Sequence, residues 1–279
     1  MKYKIGVDAG GTKIIAGLID QHNNIVRIIK MPTQAKLGKA VVINKIKAAV
    51  DFVRHKKVKR IGVGVAGTVD DKGRVLLSPN LPLKNVKIKK ILEDTFKVKV
   101  KVDNDVNCFT IGESYLGKGK RFENFVGLAL GTGIGGGIII NRRLYRGKGG
   151  AGEFGHISVD PKGPRCRCGN RGCLESFAGG KSIKRIYGKS SEQLYKEALG
   201  KDKDAIKAFR KIGKMLGIGI SDITNALDPE AVIVGGSIAK AWKFFEKDMK
   251  KEVKKRAVSD TKILKSSMKN AVVLGAGLL

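Results

Sequence analysis

The sequence predicts an α/β protein whose core is a duplicated unit of strand, Gly-Thr turn and strand. Three observations carry that reading. Short apolar strands alternate with stretches of helical periodicity along most of the chain. Residues 5–20 slide onto residues 125–140 with Ala9/Ala129, Gly11/Gly131, Thr12/Thr132, Ile14/Ile134, Gly17/Gly137 and Ile19/Ile139 in coincidence. Glycine is abundant, at 37 residues, but clustered, which marks tight turns rather than a linker or collagen repeat. Two such units imply a duplicated fold with its active cleft between the halves.

The elements follow in order. Residues 4–8, 14–20 and 25–31 are three strands, joined by turns at Gly10–Gly11 and at residues 22–24. Residues 40–53 put apolar side chains at 42, 46, 49, 50 and 53, one face of a helix. Residues 60–65 read as a buried strand, 86–96 as a short helix, 97–103 as a strand alternating Lys with Val, and 106–115 as a helix. A second strand group spans 125–130, 137–141 and 143–145. A long helix over 205–227 ends at Asp228-Pro229, followed by a strand at 231–234 and a helix over 239–255. The apolar end, 270–279, reads as helical.

At 279 residues and 42% hydrophobic composition, the chain can bury a real core, which excludes wholesale disorder. No stretch reads as membrane-spanning. Asp8 and Lys13 interrupt the apolar stretch that a signal peptide would need. Three of the four cysteines fall within residues 166–173, which does not fit a disulfide framework. A cytoplasmic protein without membrane partners is expected. Against 25 acidic residues stand 56 basic ones, a net charge of +31, which raises nucleic-acid binding. The lysines are spread over nearly every segment, however, and aromatics do not interleave with the basic runs as stacking platforms would. The reading is a solvated lysine surface with no specific nucleic-acid partner.

Asp8-Ala9-Gly10-Gly11-Thr12-Lys13 lies between two strands. Glycines let backbone N–H groups converge on an anion. The Thr hydroxyl and Lys ammonium add donors, and Asp8 suits a hydrated Mg²⁺. An ordinary Gly-Gly hairpin accounts for this stretch equally well when it is taken alone. Gly131-Thr132-Gly133-Ile134-Gly135-Gly136-Gly137 changes the balance, because interior glycine weakens a strand. Two Gly-Thr turns make a clamp for a polyphosphate. Gly235-Gly236 follows a strand and opens a helix, where a nucleotide meets a helix N-terminus. No Walker A loop is present, and the G-x-G-x-x-G string at 131–136 leads into a strand, so a dinucleotide fold is excluded.

Cys166, Cys168 and Cys173 have C-x-C-x₄-C spacing, with His156 ten residues upstream. Three thiolates and an imidazole form a closed tetrahedral set, so the expected ion is a structural Zn²⁺. Asp103-Asn104-Asp105-Val106-Asn107 ends a strand and opens a helix, which makes Asn104 or Asp105 a candidate N-cap. Glu153 and Glu175 flank the zinc knuckle. Carboxylates and amides suit a polyhydroxylated ligand, since each accepts hydrogen bonds from hydroxyl groups.

Taken together, these residues resemble the ROK family of bacterial and archaeal sugar kinases and repressors, over essentially the whole chain. Asp8–Lys13 and residues 130–137 are similar to the family's two phosphate motifs. Glu153-Phe-Gly-His156 and Cys166-x-Cys168-Gly169-x-x-Gly172-Cys173-x-Glu175 are similar to its E-x-G-H and C-x-C-G-x-x-G-C-x-E signature. The resemblance implies a two-lobed actin-like, ribonuclease-H-like fold with ATP and Mg²⁺ in the cleft. It implies a smaller lobe of residues 1–107 and 268–279, and a larger one of 108–267 that carries the zinc loop 156–173. Asp105 would be the general base for phosphorylating a hexose hydroxyl, glucokinase-like. Gly67, Asn80, Asn104, Asp105, Glu153, His156 and Glu175 would hold the sugar. Asp8, Gly10, Gly11, Thr12, Lys13, Gly131, Thr132, Gly133, Gly235 and Gly236 would hold the nucleotide. His156, with its three cysteines, would bind zinc through one ring nitrogen and face the sugar with the other. A homodimer or homotetramer is also implied.

Two departures touch the sugar pocket. Ala66 stands where family members usually have Pro, and Leu81-Pro82-Leu83-Lys84 lacks the aromatic that often follows. Glucose is the first expectation for the acceptor and N-acetylmannosamine its rival. With the first strand starting by Lys4, no DNA-binding helix-turn-helix is expected ahead of the phosphate motif, which favours catalysis over regulation.

Overall fold

The computed structural model describes residues 2–279. In chain order the elements are β1 (Tyr3–Ala9), β2 (Lys13–Ile19), β3 (Ile25–Pro32), α1 (Lys39–Val53), β4 (Val58–Val65), β5 (Thr68–Val69), β6 (Val75–Leu77), β7 (Lys84–Val86), α2 (Ile88–Phe96), β8 (Lys99–Asn104) and α3 (Asp105–Leu116). They continue with β9 (Phe125–Leu130), β10 (Ile134–Ile140), β11 (Arg143–Tyr145), α4 (Leu174–Ala178), α5 (Gly180–Tyr187), α6 (Ser191–Leu199), α7 (Lys203–Leu227), β12 (Ala231–Gly235), α8 (Trp242–Arg256), β13 (Lys262–Lys265) and α9 (Ala271–Ala276). No described helix is long and apolar enough to cross a membrane.

The chain divides into two compact units. The first holds everything up to Lys120, the short segment Leu144–Ala151 and the end Met268–Leu279. The second holds Arg121–Arg143 and Gly152–Ser267. Helix α3 therefore lies wholly in the first unit, where a boundary at 107/108 would cut it in its first turn. It is held there by α9: Gly275 packs on the backbone of Cys108, and Gly112 on that of Ala271. Gly6 and Gly62 likewise face the carbonyls of Val273 and Ala276, so a side chain at any of these positions would push α9 off the sheet.

The first unit is built on a sheet of order β3-β2-β1-β4-β8, with β1, β4 and β8 parallel and β2 and β3 antiparallel. In the second unit β10-β9-β12-β13 repeat that pattern, β9, β12 and β13 being parallel and β10 antiparallel. The duplication expected from the sequence is thus a duplication of topology. The copies differ by one residue at the turn: Ala9 pairs with Ile14, whereas Leu130 pairs with Ile134.

Each unit has its own core. In the first, Ile5, Val7, Ile46, Val63 and Leu92 are buried together. In the second, α7 lays Phe209, Ile212, Leu216, Ile220 and Ile223 along one face. Its start is fixed by Asp202, whose side chain accepts from the Ala205 N–H at 2.7 Å, and it ends at Asp228, with φ of 44°. Gly213 and Gly217, one turn apart, lie against the carbonyls of Phe245 and Met249, which lets α8 pack closely. Each fully buried leucine or isoleucine on that face contributes about 2–3 kcal/mol.

Several expectations need correction. Residue 86 is not helical: Val86 pairs with Val75 in a small sheet of order β5-β6-β7, after Asn85 at φ of 58°. Lys97 takes φ of 55° as the C-cap of α2, so the next strand starts at Lys99 rather than 97. β10 begins at Ile134, three residues before 137, because its glycines pair regularly with β9. Residues 238–241 form a 3-10 turn, and the helix proper starts at Trp242. The helices α4, α5 and α6 and the strand β13 had no reading in the sequence.

Candidate functional site

In the first unit, the turn after β1 is closed by the Gly10 N–H donating to the Lys13 carbonyl at 3.0 Å. Two of its carbonyls are tied back by Thr33, a fully buried residue at the end of β3. The Thr33 hydroxyl donates to the Gly10 carbonyl at 2.6 Å, and the Thr33 N–H to the Thr12 carbonyl at 3.1 Å. Gly11 lies against Asn80, so the first phosphate motif and one predicted sugar ligand adjoin. Asn80 sits in a turn pinned by Ser78, which accepts from the Leu81 N–H at 3.0 Å and donates to the Ala66 carbonyl.

Asn104 resolves the capping question. Its side-chain oxygen accepts from the N–H groups of Val106 at 2.8 Å and Asn107 at 3.2 Å, which makes it the N-cap of α3. Its amide donates to the Gly67 carbonyl at 3.0 Å. Asp105 is consequently the first helical residue rather than the cap. It shares its surroundings with Asp8, whose carboxyl is pushed up to about 7 by burial first and by the Asp105 charge second, against the pull of Lys13. A half-buried carboxylate held this high beside a second one is a site that gains from a cation, and Asp8 fits Mg²⁺ on that ground.

In the second unit, the Gly131 N–H donates to the Gly133 carbonyl at 2.9 Å. The start of α5 ties this turn back, the Gly180 and Lys181 N–H groups donating to the carbonyls of Gly131 at 2.9 Å and Thr132 at 3.0 Å. Glu175 packs on Gly133 and accepts from the Ile134 N–H at 2.8 Å. One oxygen of this predicted sugar ligand is therefore already engaged by the turn. Gly236, at φ of 91°, lies on the backbone of Leu130, which brings the Gly235-Gly236 pair beside the same turn.

The ligand atoms of His156, Cys166, Cys168 and Cys173 all lie within 4.8 Å of one another. Cys166 Sγ is 3.7 Å from His156 Nδ1, and Cys168 Sγ is 3.6 Å from Cys173 Sγ. Tetrahedral zinc with bonds of about 2.3 Å spaces its sulfurs by about 3.7 Å. Burial, then the neighbouring thiols, push the Cys173 thiol up to about 12, a cost that a bound cation would reverse. At Cys168 burial acts upward, but the bond to the Asn170 backbone and those to Cys166 and Cys173 outweigh it and lower the thiol. Gly169 and Gly172, at φ of 101° and 66°, make the knuckle, with Gly172 against the Asp160 carbonyl. The other ring nitrogen of His156, Nε2, is 3.9 Å from Glu153 Oε2. The residues fit zinc through Nδ1, which leaves Nε2 on the side of Glu153.

The predicted residues thus collect as two sets, Asp8 to Lys13 with Gly67, Asn80, Asn104 and Asp105 in one unit, and Gly131 to Gly133 with Glu153, His156, Glu175, Gly235 and Gly236 in the other. Thr33 escaped the sequence reading because its partners lie far away in the chain, and so did the Arg146 partner of Asp103.

The ROK family model matches residues 4–279. The chain is 35% identical to the glucokinase of Streptomyces coelicolor over 86% of its own length and 83% of that protein's. It is also 31% identical to the xylose repressor of Bacillus subtilis, over 98% of its length and 75% of the repressor's. A ROK glucokinase from Streptomyces griseus, solved with glucose and AMPPNP, superposes with a TM-score of 0.89 at 31% identity, covering 99% of this chain and 98% of that one. The α/β fold is the actin-like fold of these sugar kinases. The chain belongs to the ROK family.

Proposed function

We propose that the protein is an ATP-dependent sugar kinase that transfers the γ-phosphoryl group to a hexose hydroxyl, with glucose as first acceptor and N-acetylmannosamine as nearest rival. The observation that carries this reading is the placement of Asp105. It opens α3 directly after its cap, in the unit that also holds the first Gly-Thr turn and the half-buried Asp8. Phosphoryl transfer depends on positioning and charge neutralisation more than on covalent chemistry.

In this reading Asp105 accepts the proton of the sugar hydroxyl as that oxygen attacks phosphorus. The N–H groups of Gly11 and Thr12, those of Thr132 and Gly133, and the Lys13 ammonium receive the phosphate charge. With the turn carbonyls tied back by Thr33 and by the start of α5, the peptide dipoles are turned toward an anion. Asp8 would hold Mg²⁺, which would supply further positive charge against the phosphates. Gly235 and Gly236 let the nucleotide approach the backbone beside the second turn. Gly67, Asn80, Asn104, Glu153, His156 and Glu175 hold the sugar hydroxyls. His156, Cys166, Cys168 and Cys173 would hold a structural zinc, which would fix the ring of His156 and the start of α4, where Glu175 lies.

The test is a coupled ATP-consumption assay over a panel of hexoses and N-acetylhexosamines. Sugar-dependent turnover, highest with one or two panel members, is expected. ATP hydrolysis that ignores every sugar would refute the kinase reading. The likeness to the xylose repressor supports a second reading, a sugar-responsive regulator. Sequence-specific DNA binding at physiological salt, relieved by a sugar, would favour it.

A further inference from the structure

We propose that Arg146 is a positioning residue for Asp105, acting through Asp103. The inference rests on the kinase reading for Asp105, and the contacts that carry it lie within the first unit.

Strand β8 is the edge of its sheet, paired with β4 alone through Val65 and Asn104. Where it passes into α3, no further strand of the described residues pairs with it on the outer side. Asp103 takes that place. Its carboxylate is buried, about 10% exposed, and its two oxygens serve different partners. Oδ1 accepts from the Asn104 N–H at 2.8 Å and the Asn107 side-chain amide at 2.7 Å, which grips the turn on both sides of Asp105. Oδ2 accepts from Arg146 Nε at 3.0 Å and Nη2 at 2.7 Å. With Arg146 fixed on one oxygen, the carboxylate cannot rotate about its χ2 and release the other.

Arg146 is itself held. Its carbonyl accepts from the N–H groups of Gly149 at 2.8 Å and Ala151 at 3.3 Å. Gly147 and Gly149, at φ of 54° and 104°, close the loop around it. The segment Leu144–Ala151 lies in the first unit although the chain before and after it belongs to the second, and the Arg146–Asp103 ion pair is one side-chain anchor that holds it there. Charge points the same way. The fully buried Cys108 thiol is pushed up by its burial and then by Asp103, Asp105 and Asp8, and Arg146 is the group that opposes these three carboxylates. A charge-assisted bond of two N–H groups to a buried oxygen is among the stronger polar contacts available, and an error of 1 Å in a reacting group costs about 10²-fold in rate.

The test compares Arg146→Ala with the wild type in full kinetics. The kcat should fall about 10- to 100-fold while KM for sugar and for ATP stays within about three-fold, since no ligand-binding group is removed. Arg146 is half exposed, so added guanidinium at low millimolar concentration should reach the vacated place and restore part of the lost kcat. An unchanged kcat, or a loss that guanidinium leaves untouched, would overturn the proposal. Amide exchange of the 104–107 backbone gives a readout that needs no turnover: it should quicken in Arg146→Ala, and unchanged exchange also overturns the proposal. A wild type that phosphorylates no sugar strikes the kinase reading instead, and the exchange measurement then decides the positioning contact by itself.

Discussion

Glu175 accepts a hydrogen bond from the backbone N–H of Ile134 at 2.8 Å. Glu175 stands two residues after the last cysteine of the knuckle, and Ile134 directly follows the second Gly-Thr turn. This one bond ties the segment that follows the His156, Cys166, Cys168 and Cys173 cluster to the place where a phosphate would sit. It gives Glu175 a duty beyond the sugar contact proposed for it, and the two duties separate by substitution. Glu175→Gln keeps an oxygen for Ile134, so its Tm should stay within about 2 °C of wild type, a shift of roughly 1 kcal/mol or less for a chain this size. The loss of charge should raise KM for the sugar about ten-fold or more, by the strength of a charge-assisted bond. Glu175→Ala should lose both, and thermal unfolding with sugar titrations checks the pair.

Zinc removal should act on stability before chemistry. The four ligand atoms lie within 4.8 Å of one another, and without a cation the buried Cys173 thiol stays protonated. Chelation, or Cys166→Ser, should lower the Tm by several degrees and loosen the second Gly-Thr turn through Glu175. Calorimetry with and without chelator measures the first effect, and amide exchange at Ile134 the second. An unchanged Tm in a sample shown to have lost its zinc, or purified protein that holds no zinc, would contradict the assignment.

Asp8 gives a pH signature. Its carboxyl titrates near 3.8 when unfolded and near 7 when folded, because burial and then Asp105 oppose its charge. A raised folded value means that folding binds a proton between these limits. The stability from neutral Asp8 is complete below about pH 4 and is lost as pH rises through 7. Asp8→Asn imitates the neutral form. In the absence of nucleotide and Mg²⁺ it should be more stable than wild type at pH 8, by a few degrees, with the gain fading as pH falls to 4. Turnover should be strongly reduced at both values.

Thr33 makes a quieter prediction. Its hydroxyl donates to the Gly10 carbonyl at 2.6 Å in a fully buried place. Thr33→Val preserves the shape and removes the donor, which leaves the half-buried Gly10 carbonyl short of a partner at a cost of about 0.5–1.5 kcal/mol. A lower Tm and a raised KM for ATP, with KM for the sugar little changed, are the expected results of denaturation and initial-rate measurements.

Much of this was legible in the residues. The Gly-Thr coincidence between residues 5–20 and 125–140 marks two units that share one topology, because turn glycines and strand apolar residues are local requirements. The His156, Cys166, Cys168 and Cys173 set is legible because ligand chemistry fixes both residue type and spacing. What stayed hidden depends on distant pairing. Thr33 holds a turn more than twenty residues upstream, and nothing in its neighbours signals this. Arg146 reaches Asp103 across forty-three residues and two changes of unit. Val86 looks like the first turn of α2, yet its pairing with Val75 makes it a strand. The capping question at Asn104 and Asp105 needed backbone angles, and Asn104 at φ of −61° and ψ of 145° settles it.

The most direct test of the account is the single-turnover and steady-state rate of Asp105→Asn with the best sugar of the panel. The substitution keeps shape and removes the proton acceptor at the start of α3. The account predicts a kcat lowered by 10²-fold or more, in the range of about 10²–10⁴ that a general base contributes, with sugar affinity by calorimetry within several-fold of wild type. A kcat close to that of the wild type would contradict it.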